Sequence, residues 1–236
     1  MIILSLDSTS VTASVAISEN GVVLAENFIN NGLTHSQTLM PMVEKTLTDS
    51  NKNIKDVDLF AITNGPGSFT GVRIGIASVK GMADALNKKC MAVSTLEAIA
   101  EPLKDEDSIA CAVMDARCNQ VYTAIFENGN RLCEDKAILI DDLGEELKQY
   151  DKKIVFIGDG AELCYNKLCE SLKNVEIANE NILYVHASSI CRLAEDKVKN
   201  NEEFIDSAKL VPFYLRVPQA ERELNNKNSL KKENIK

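Results

Sequence analysis

The chain has 236 residues, 45% hydrophobic and 26% charged, and its 35 acidic against 26 basic side chains leave a net charge of −9. No apolar run is long enough to span a bilayer and no charged-then-apolar leader opens the sequence, so a cytoplasmic chain without membrane association is expected. The acidic surface repels phosphate backbones, which argues against stand-alone nucleic-acid binding.

The first apolar strand ends at Asp7 and runs into Ser8, Thr9 and Ser10. An aspartate followed by hydroxyls can satisfy its own loop amides, and this structural role is favoured over that of a magnesium-facing carboxylate. Glu19, Asn20 and Gly21 then signal a tight hairpin turn into a third strand over residues 22–29. A helix over about 35–49 sets Leu39, Met42, Val43, Thr46 and Leu47 on an apolar stripe, with Met40 toward a second side. Pro41 removes a hydrogen bond inside that helix and bends it, while Met40 and Met42 supply adaptable apolar surface. By its residues alone the helix suits its own lobe and a partner equally. His35, at its start, reads as a packing or hydrogen-bonding residue, since no second histidine or cysteine lies near in sequence to make it a base.

An apolar strand over 57–63 meets a turn-rich run, 64–70, that opens into a helix over 71–86. Gly65, Pro66 and Gly67 force a reversal, Ser68 or Thr70 can accept from the first free amides, and Gly71 lets the helix start close to its neighbours. Such an end attracts anions or accepts close packing. Gly71 with Gly75, and Ala77 with Gly81 and Ala85, form two stripes of small side chains. A mid-helix glycine costs roughly 1 kcal/mol relative to alanine, so Gly75 and Gly81 imply compensating contacts with the chain's own sheet or with another molecule. Arg73 sits near the helix start, where a cation opposes the dipole; an internal ion pair is favoured, with an acidic partner or a nucleotide as the alternative.

The chain repeats this design at an offset of 108 residues, from Asp7 to Asp115, and Glu127, Asn128 and Gly129 repeat the hairpin tripeptide. A third strand over 131–140, a helix over 142–150, a buried strand over 154–157, the turn Gly158, Asp159, Gly160 and a helix over 161–172 complete the second copy. Each half then builds a mixed sheet flanked by helices, an α/β fold with a first lobe over 1–104 and a second over 105–218. The glycine turn reads as a strand-to-helix turn in preference to a ligand contact. Seven scattered cysteines, no CxxC pair and two distant histidines point to reduced, mostly buried thiols and to no metal site. Residues 219–236 are rich in Asn, Lys and Glu, and a mobile tail is expected there.

A duplicated unit of this order resembles the superfamily of actin-like ATPases, sugar kinases and heat-shock ATPases, whose lobes have a ribonuclease-H-like fold with a cleft between them. That resemblance makes Asp7, Ser8, Thr9, Ser10, Gly158, Asp159 and Gly160 possible nucleotide contacts, although Ser8 stands where nucleotide users often carry glycine, and Ala116 and Arg117 break the repeat of the hydroxyls. A stand-alone ATPase or kinase of this superfamily is the alternative function. A glycoprotease-like hydrolase lacks a visible nucleophile and base.

Residues 64–75, NGPGSFTGVRIG, together with Asp7 to Ser10, resemble the bacterial TsaB family, also called YeaZ. Thr34, His35, Ser36, Leu39 and Pro41 resemble its first helix, and Tyr214, Leu215, Arg216, Ala220 and Glu221 its closing segment. The resemblance implies a subunit of the assembly that forms threonylcarbamoyladenosine in tRNAs reading codons that begin with A. It implies no catalytic residue and no cofactor in this chain. The partners it implies are the catalytic paralogue TsaD, which carries the metal ion, and the ATPase TsaE, with ATP or ADP held in the assembly; tRNA is met only through the complex, and a homodimer forms in isolation. TsaD proteins carry two metal-binding histidines four residues apart where this chain has Thr95 and Ile99, and isoleucine has no lone pair to donate. The implied partner interface comprises His35, Leu39, Met40, Pro41, Met42, Val43 and Leu47 on the first helix and Arg73, Ile74, Gly75, Ala77, Ser78, Gly81 and Met82 on the second.

Overall fold

A computed structural model describes residues 1–216; the expected tail and the closing Ala220 and Glu221 lie outside the described residues. The first sheet takes β1 (Ile2–Asp7), β2 (Ala13–Glu19), β3 (Val22–Ile29), β4 (Leu59–Thr63) and β5 (Lys89–Val93) in the order β3-β2-β1-β4-β5. Its first three strands run antiparallel, and β4 and β5 are parallel to β1. This mixture follows from the connections: a hairpin returns the chain antiparallel, whereas α1 (His35–Asp49) and α2 (Phe69–Leu86) carry it back to a parallel start.

The short α3 (Thr95–Ala100) leads to β6 (Ile109–Asp115), β7 (Gln120–Glu127), β8 (Asn130–Arg131), β9 (Lys136–Leu139), α4 (Ile140–Leu147), β10 (Ile154–Ile157), α5 (Ala161–Leu168), β11 (Val175–Ile177) and α6 (Ala187–Lys199). The second sheet runs β11-β10-β6-β7-β8, with β9 also on β7. Both hairpin turns place Asn and Gly in the left-handed region, Asn20 and Gly21 at φ 51° and 84°, Asn128 and Gly129 at 50° and 74°. That mirror-image turn matches the twist of its strands.

The repeat is imperfect where local chemistry intervenes. The strand expected from residue 57 begins at Leu59, because Ile54–Asp56 wind a 3-10 turn closed by reciprocal bonds between Asn53 and Asp56. The strand expected over 131–140 is broken into β8 and β9. Arg131 turns back to pair with Asp135, whose other oxygen accepts from Ser94 Oγ at 2.8 Å. The following helix starts at Ile140, with Asp141 and Asp142 in the first turn where carboxylates complement the dipole.

Among the described residues, three apolar cores hold the molecule. One lies under α1 and α2 on the first sheet, another under α4 and α5 on the second. The third is shared: Ala61 and Val93 from the first sheet and Ala112 and Ile157 from the second meet around α3 and α6. Ser5 and Ser14 of the first sheet donate to the carbonyls of Ala187 and Val185 at 2.7 and 3.1 Å, so α6, last of the second half, closes the first sheet.

Beyond α6 the chain returns along the first lobe as a strap over residues 202–216. Ile205 and Cys90 exchange backbone hydrogen bonds of 2.8 and 2.9 Å, covering the edge of β5. Leu210 is buried in the first core, and Lys80 Nζ donates to the carbonyls of Ala208 and Leu210. Phe213 N–H donates to the Asn64 carbonyl at 2.7 Å. Gly65 is required there, because its φ is +125° and a Cβ would stand 2.2 Å from the Phe213 carbonyl oxygen.

Candidate functional site

Two surfaces collect the residues singled out by sequence. The first is a cleft of about 420 Å³ between the lobes, walled by Thr9, Ser10, Phe69, Asp115, Arg117 and Asp159 and by the strap residues Phe213 to Arg216. Arg216 crosses to the second lobe, donating to the Ala116 carbonyl at 3.0 Å.

Asp7 lies behind the cleft wall, fully buried. Thr63 Oγ1 and Thr9 Oγ1 donate to its Oδ1 at 2.5 and 2.7 Å, and Oδ2 has no partner among the described residues. Burial pushes this carboxyl above its ordinary range, against the lowering effect of the two hydroxyls. Ser8 Oγ donates to the Gly71 carbonyl, and Ser10 Oγ pairs with Thr12. The three hydroxyls of the loop are therefore spent inside the protein. Gly71 and Gly75 pack directly on Ser8: a Cβ on Gly71 would lie 2.0 Å from the Ser8 carbonyl oxygen, and one on Gly75 2.5 Å from Ser8 Oγ. The stripe of Gly71 and Gly75 thus serves the chain's own packing, and the helix is capped by Ser68, whose Oγ accepts from Gly71 N–H at 3.3 Å.

On the opposite wall Asp159 accepts from Asp115 N–H at 3.1 Å. Burial pushes its carboxyl up to about 6, and the neighbouring charges of Asp115 and Asp7 add to the rise. Gly158 and Gly160 pack on β6 instead: a Cβ on Gly158 would stand 2.1 Å from the Val113 carbonyl oxygen. Arg117, Cys118 and Asn119 follow with φ of 67°, 56° and 56°, three consecutive left-handed residues. Each costs on the order of 1 kcal/mol, offset in part as Asp115 accepts from Arg117 N–H and Asn119 from Ile140 N–H. Sequence reasoning missed Arg117 and Arg216 as cleft residues. The 108-residue offset, which sets Arg117 against Thr9, was the available signal.

The fold class implies a nucleotide and its metal ion in this cleft. The residues fit them poorly, since the hydroxyls of Ser8, Thr9 and Ser10 are already hydrogen-bonded within the protein and the carboxylates of Asp115 and Asp159, which line the cleft, would repel phosphate.

The second surface is the outer side of α1 and α2. Met40, Pro41, Arg73, Ala77 and Gly81 are exposed, and His35, Leu47, Ile74 and Ser78 half-buried. Leu39, Met42, Val43, Gly75 and Met82 are buried in their own lobe, which corrects their placement on an accessible interface: the apolar stripe of α1 faces the first sheet. His35 Nε2–H donates to the Ser10 carbonyl at 2.8 Å and so ties α1 to the first loop. Arg73 has no ion pair among the described residues. Its guanidinium lies 3.7 Å above the Phe69 ring, Phe69 stacks on Tyr214 at 4.8 Å, and Arg73 Nε donates to the Tyr214 hydroxyl at 2.8 Å.

Two mixed sheets in a duplicated ribonuclease-H-like arrangement, with a cleft between the lobes, define the actin-like fold class. Component A of an Acidaminococcus fermentans 2-hydroxyglutaryl-CoA dehydratase shares that fold at a TM-score of 0.53 and 13% identity, covering 84% of this chain and 99% of that one. Much closer is YeaZ from Pseudomonas aeruginosa, with a TM-score of 0.77 and 26% identity over 91% of this chain and 99% of its own. Residues 23–224 match the family model described as TsaD, tRNA N6-adenosine threonylcarbamoyltransferase. The tRNA threonylcarbamoyladenosine biosynthesis protein TsaB of Bacillus subtilis is 31% identical, covering 94% of this chain and 96% of the relative. TsaB of Escherichia coli is 35% identical over 68% of this chain and 72% of its own. The chain belongs to the TsaB family.

Proposed function

We propose that this protein is a non-catalytic subunit of the machinery that makes threonylcarbamoyladenosine in tRNA, docking the catalytic paralogue TsaD through the exposed side of α1 and α2, with TsaE as a further member of the assembly. The observation that carries the non-catalytic reading is the state of α3. Thr95 and Ile99, which stand where TsaD carries its metal-binding histidines, are buried at 0% and 2% exposure, inside the interlobe core. Neither position can present a ligand to a metal without dismantling that core. The nucleotide and metal then belong to partner subunits, and tRNA is reached through the assembly. The spent hydroxyls of the first loop argue against a stand-alone ATPase or kinase.

The docking reading rests on Met40, Pro41, Ala77 and Gly81, which lie exposed on neighbouring helices, and on Gly81, whose absent Cβ would meet nothing within 4 Å among the described residues. A glycine in mid-helix with no internal contact leaves its cost to be compensated elsewhere. The test is mass spectrometry of tRNA nucleosides after a reconstituted reaction with TsaD, TsaE, the donor-forming enzyme, ATP, threonine and bicarbonate, with and without this chain. Threonylcarbamoyladenosine is expected only when the chain is present. Equal product without it would sink the proposal.

A further inference from the structure

Arg73, Ala77 and Gly81 follow one another at four-residue steps on α2, so they stack along one exposed stripe. A partner laid on Ala77 and Gly81 therefore closes over Arg73 as well. A guanidinium shut away from water without an acceptor is strongly unfavourable, so the covering surface has to bring one. Among the described residues this chain supplies none: Arg73 has no ion pair, and neither of its terminal nitrogens donates to an acceptor. Its place in the first turns of α2, where the helix dipole disfavours a cation, makes an anion from outside its complement.

What holds this guanidinium comes in part from the far end of the chain. Phe69, one turn earlier on α2, carries it 3.7 Å above its ring. Tyr214 of the strap stacks on Phe69, with the rings 4.8 Å apart and their planes 29° from parallel, and its hydroxyl accepts from Arg73 Nε–H at 2.8 Å. The single proton on Nε is thereby used, which fixes the plane of the fork and leaves the terminal nitrogens free. Tyr214 is in turn placed by anchors on either side of it: Phe213 N–H on the Asn64 carbonyl, and Arg216 on the Ala116 carbonyl of the second lobe.

We propose that Tyr214 and Phe69 are positioning residues for docking: they hold the Arg73 fork ready to receive a carboxylate of TsaD, which makes the strap a third element of the docking surface beside α1 and α2. The inference rests on the docking reading above and names the chemistry of one contact within it. Lysine is a poor substitute, because a point charge on a flexible stem neither lies flat on Phe69 nor offers two parallel N–H donors to a carboxylate.

Calorimetric titration of TsaD with the full chain tests this through Arg73→Ala, Tyr214→Phe and the double variant. Each single variant is expected to raise the dissociation constant about tenfold. The double variant is expected to stay within about twofold of Arg73→Ala, because Tyr214 acts through Arg73. Tyr214→Phe keeps its ring on Phe69, so its thermal midpoint is expected within about 2 °C of wild type, which separates positioning from loss of fold. Arg73→Glu sets like charges together and is expected to bind at least about tenfold more weakly than Arg73→Ala. Tyr214→Phe binding as tightly as wild type would overturn the positioning role, as would a double variant that loses a further tenfold. Equal affinities of Arg73→Glu and Arg73→Ala would overturn the carboxylate. Each of these results leaves the docking reading standing, whereas a wild-type chain that does not bind TsaD overturns that reading and the inference together.

Discussion

At Asp159 burial holds a carboxyl at about 6, above the ordinary value near 3.9, while its amide partner on Asp115 and the charge of Arg117 pull the other way. A carboxyl whose folded value is raised leaves the protein at full stability below the unfolded value and subtracts stability as pH rises through the folded one. Asp159→Asn keeps an oxygen to accept from Asp115 N–H and removes the charge. The variant is expected to melt higher than wild type at pH 8, with the difference disappearing near pH 4, in paired thermal scans. A difference that grows as pH falls would contradict the burial argument. Still mostly ionised at pH 7, that carboxyl adds to the poor phosphate chemistry of the cleft: the second lobe presents acid there, and the first presents hydroxyls already in use.

Among the elements, α1 and α2 each have one face in the core and one outside, and their residues separate the two functions. Leu39 is fully enclosed, so Leu39→Ala is expected to cost about 2–5 kcal/mol in urea unfolding and to weaken docking only through lost fold. Met40, beside it and 45% exposed, is expected to give a change within about 0.5 kcal/mol as Ala while weakening TsaD binding in calorimetry. Equal effects of the two on stability would refute the assignment of faces. The sequence periodicity placed both helices and their apolar stripe, and the paired Asp7 and Asp115, Asn20 and Asn128 exposed the duplication. Which stripe of α2 turns inward was not legible, because both are built of small residues. Ser8 decides it, by filling the space that Gly71 and Gly75 leave. The break between β8 and β9 was likewise hidden, since it depends on Arg131 finding Asp135 and on Ser94 arriving from the other lobe.

For the whole molecule, the shared core around α6 makes the lobes interdependent. Ile190, Cys191 and Ala194 are buried among residues of both sheets. Ile190→Ala is therefore expected to cost about 2–5 kcal/mol and to speed amide exchange in β1 and β6 together. Loss of protection in one sheet alone would show that the lobes unfold separately. Sequence order gave no hint of this, because a helix reads the same whichever sheet it closes, and its partners Ser5 and Ser14 lie more than 170 positions away.

That return of the chain also sets a timetable. As the polypeptide leaves the ribosome, the first sheet is complete once β5 emerges, yet the helix that closes its inner face and the strap that covers its edge come roughly 90 to 120 residues later. At about 5–20 residues per second the nascent first lobe waits on the order of 5–20 seconds with an open edge and an apolar face. Its outer helices gain the strap that steadies Arg73 only once Tyr214 has been made, so the proposed docking surface is completed well after its own helices have emerged.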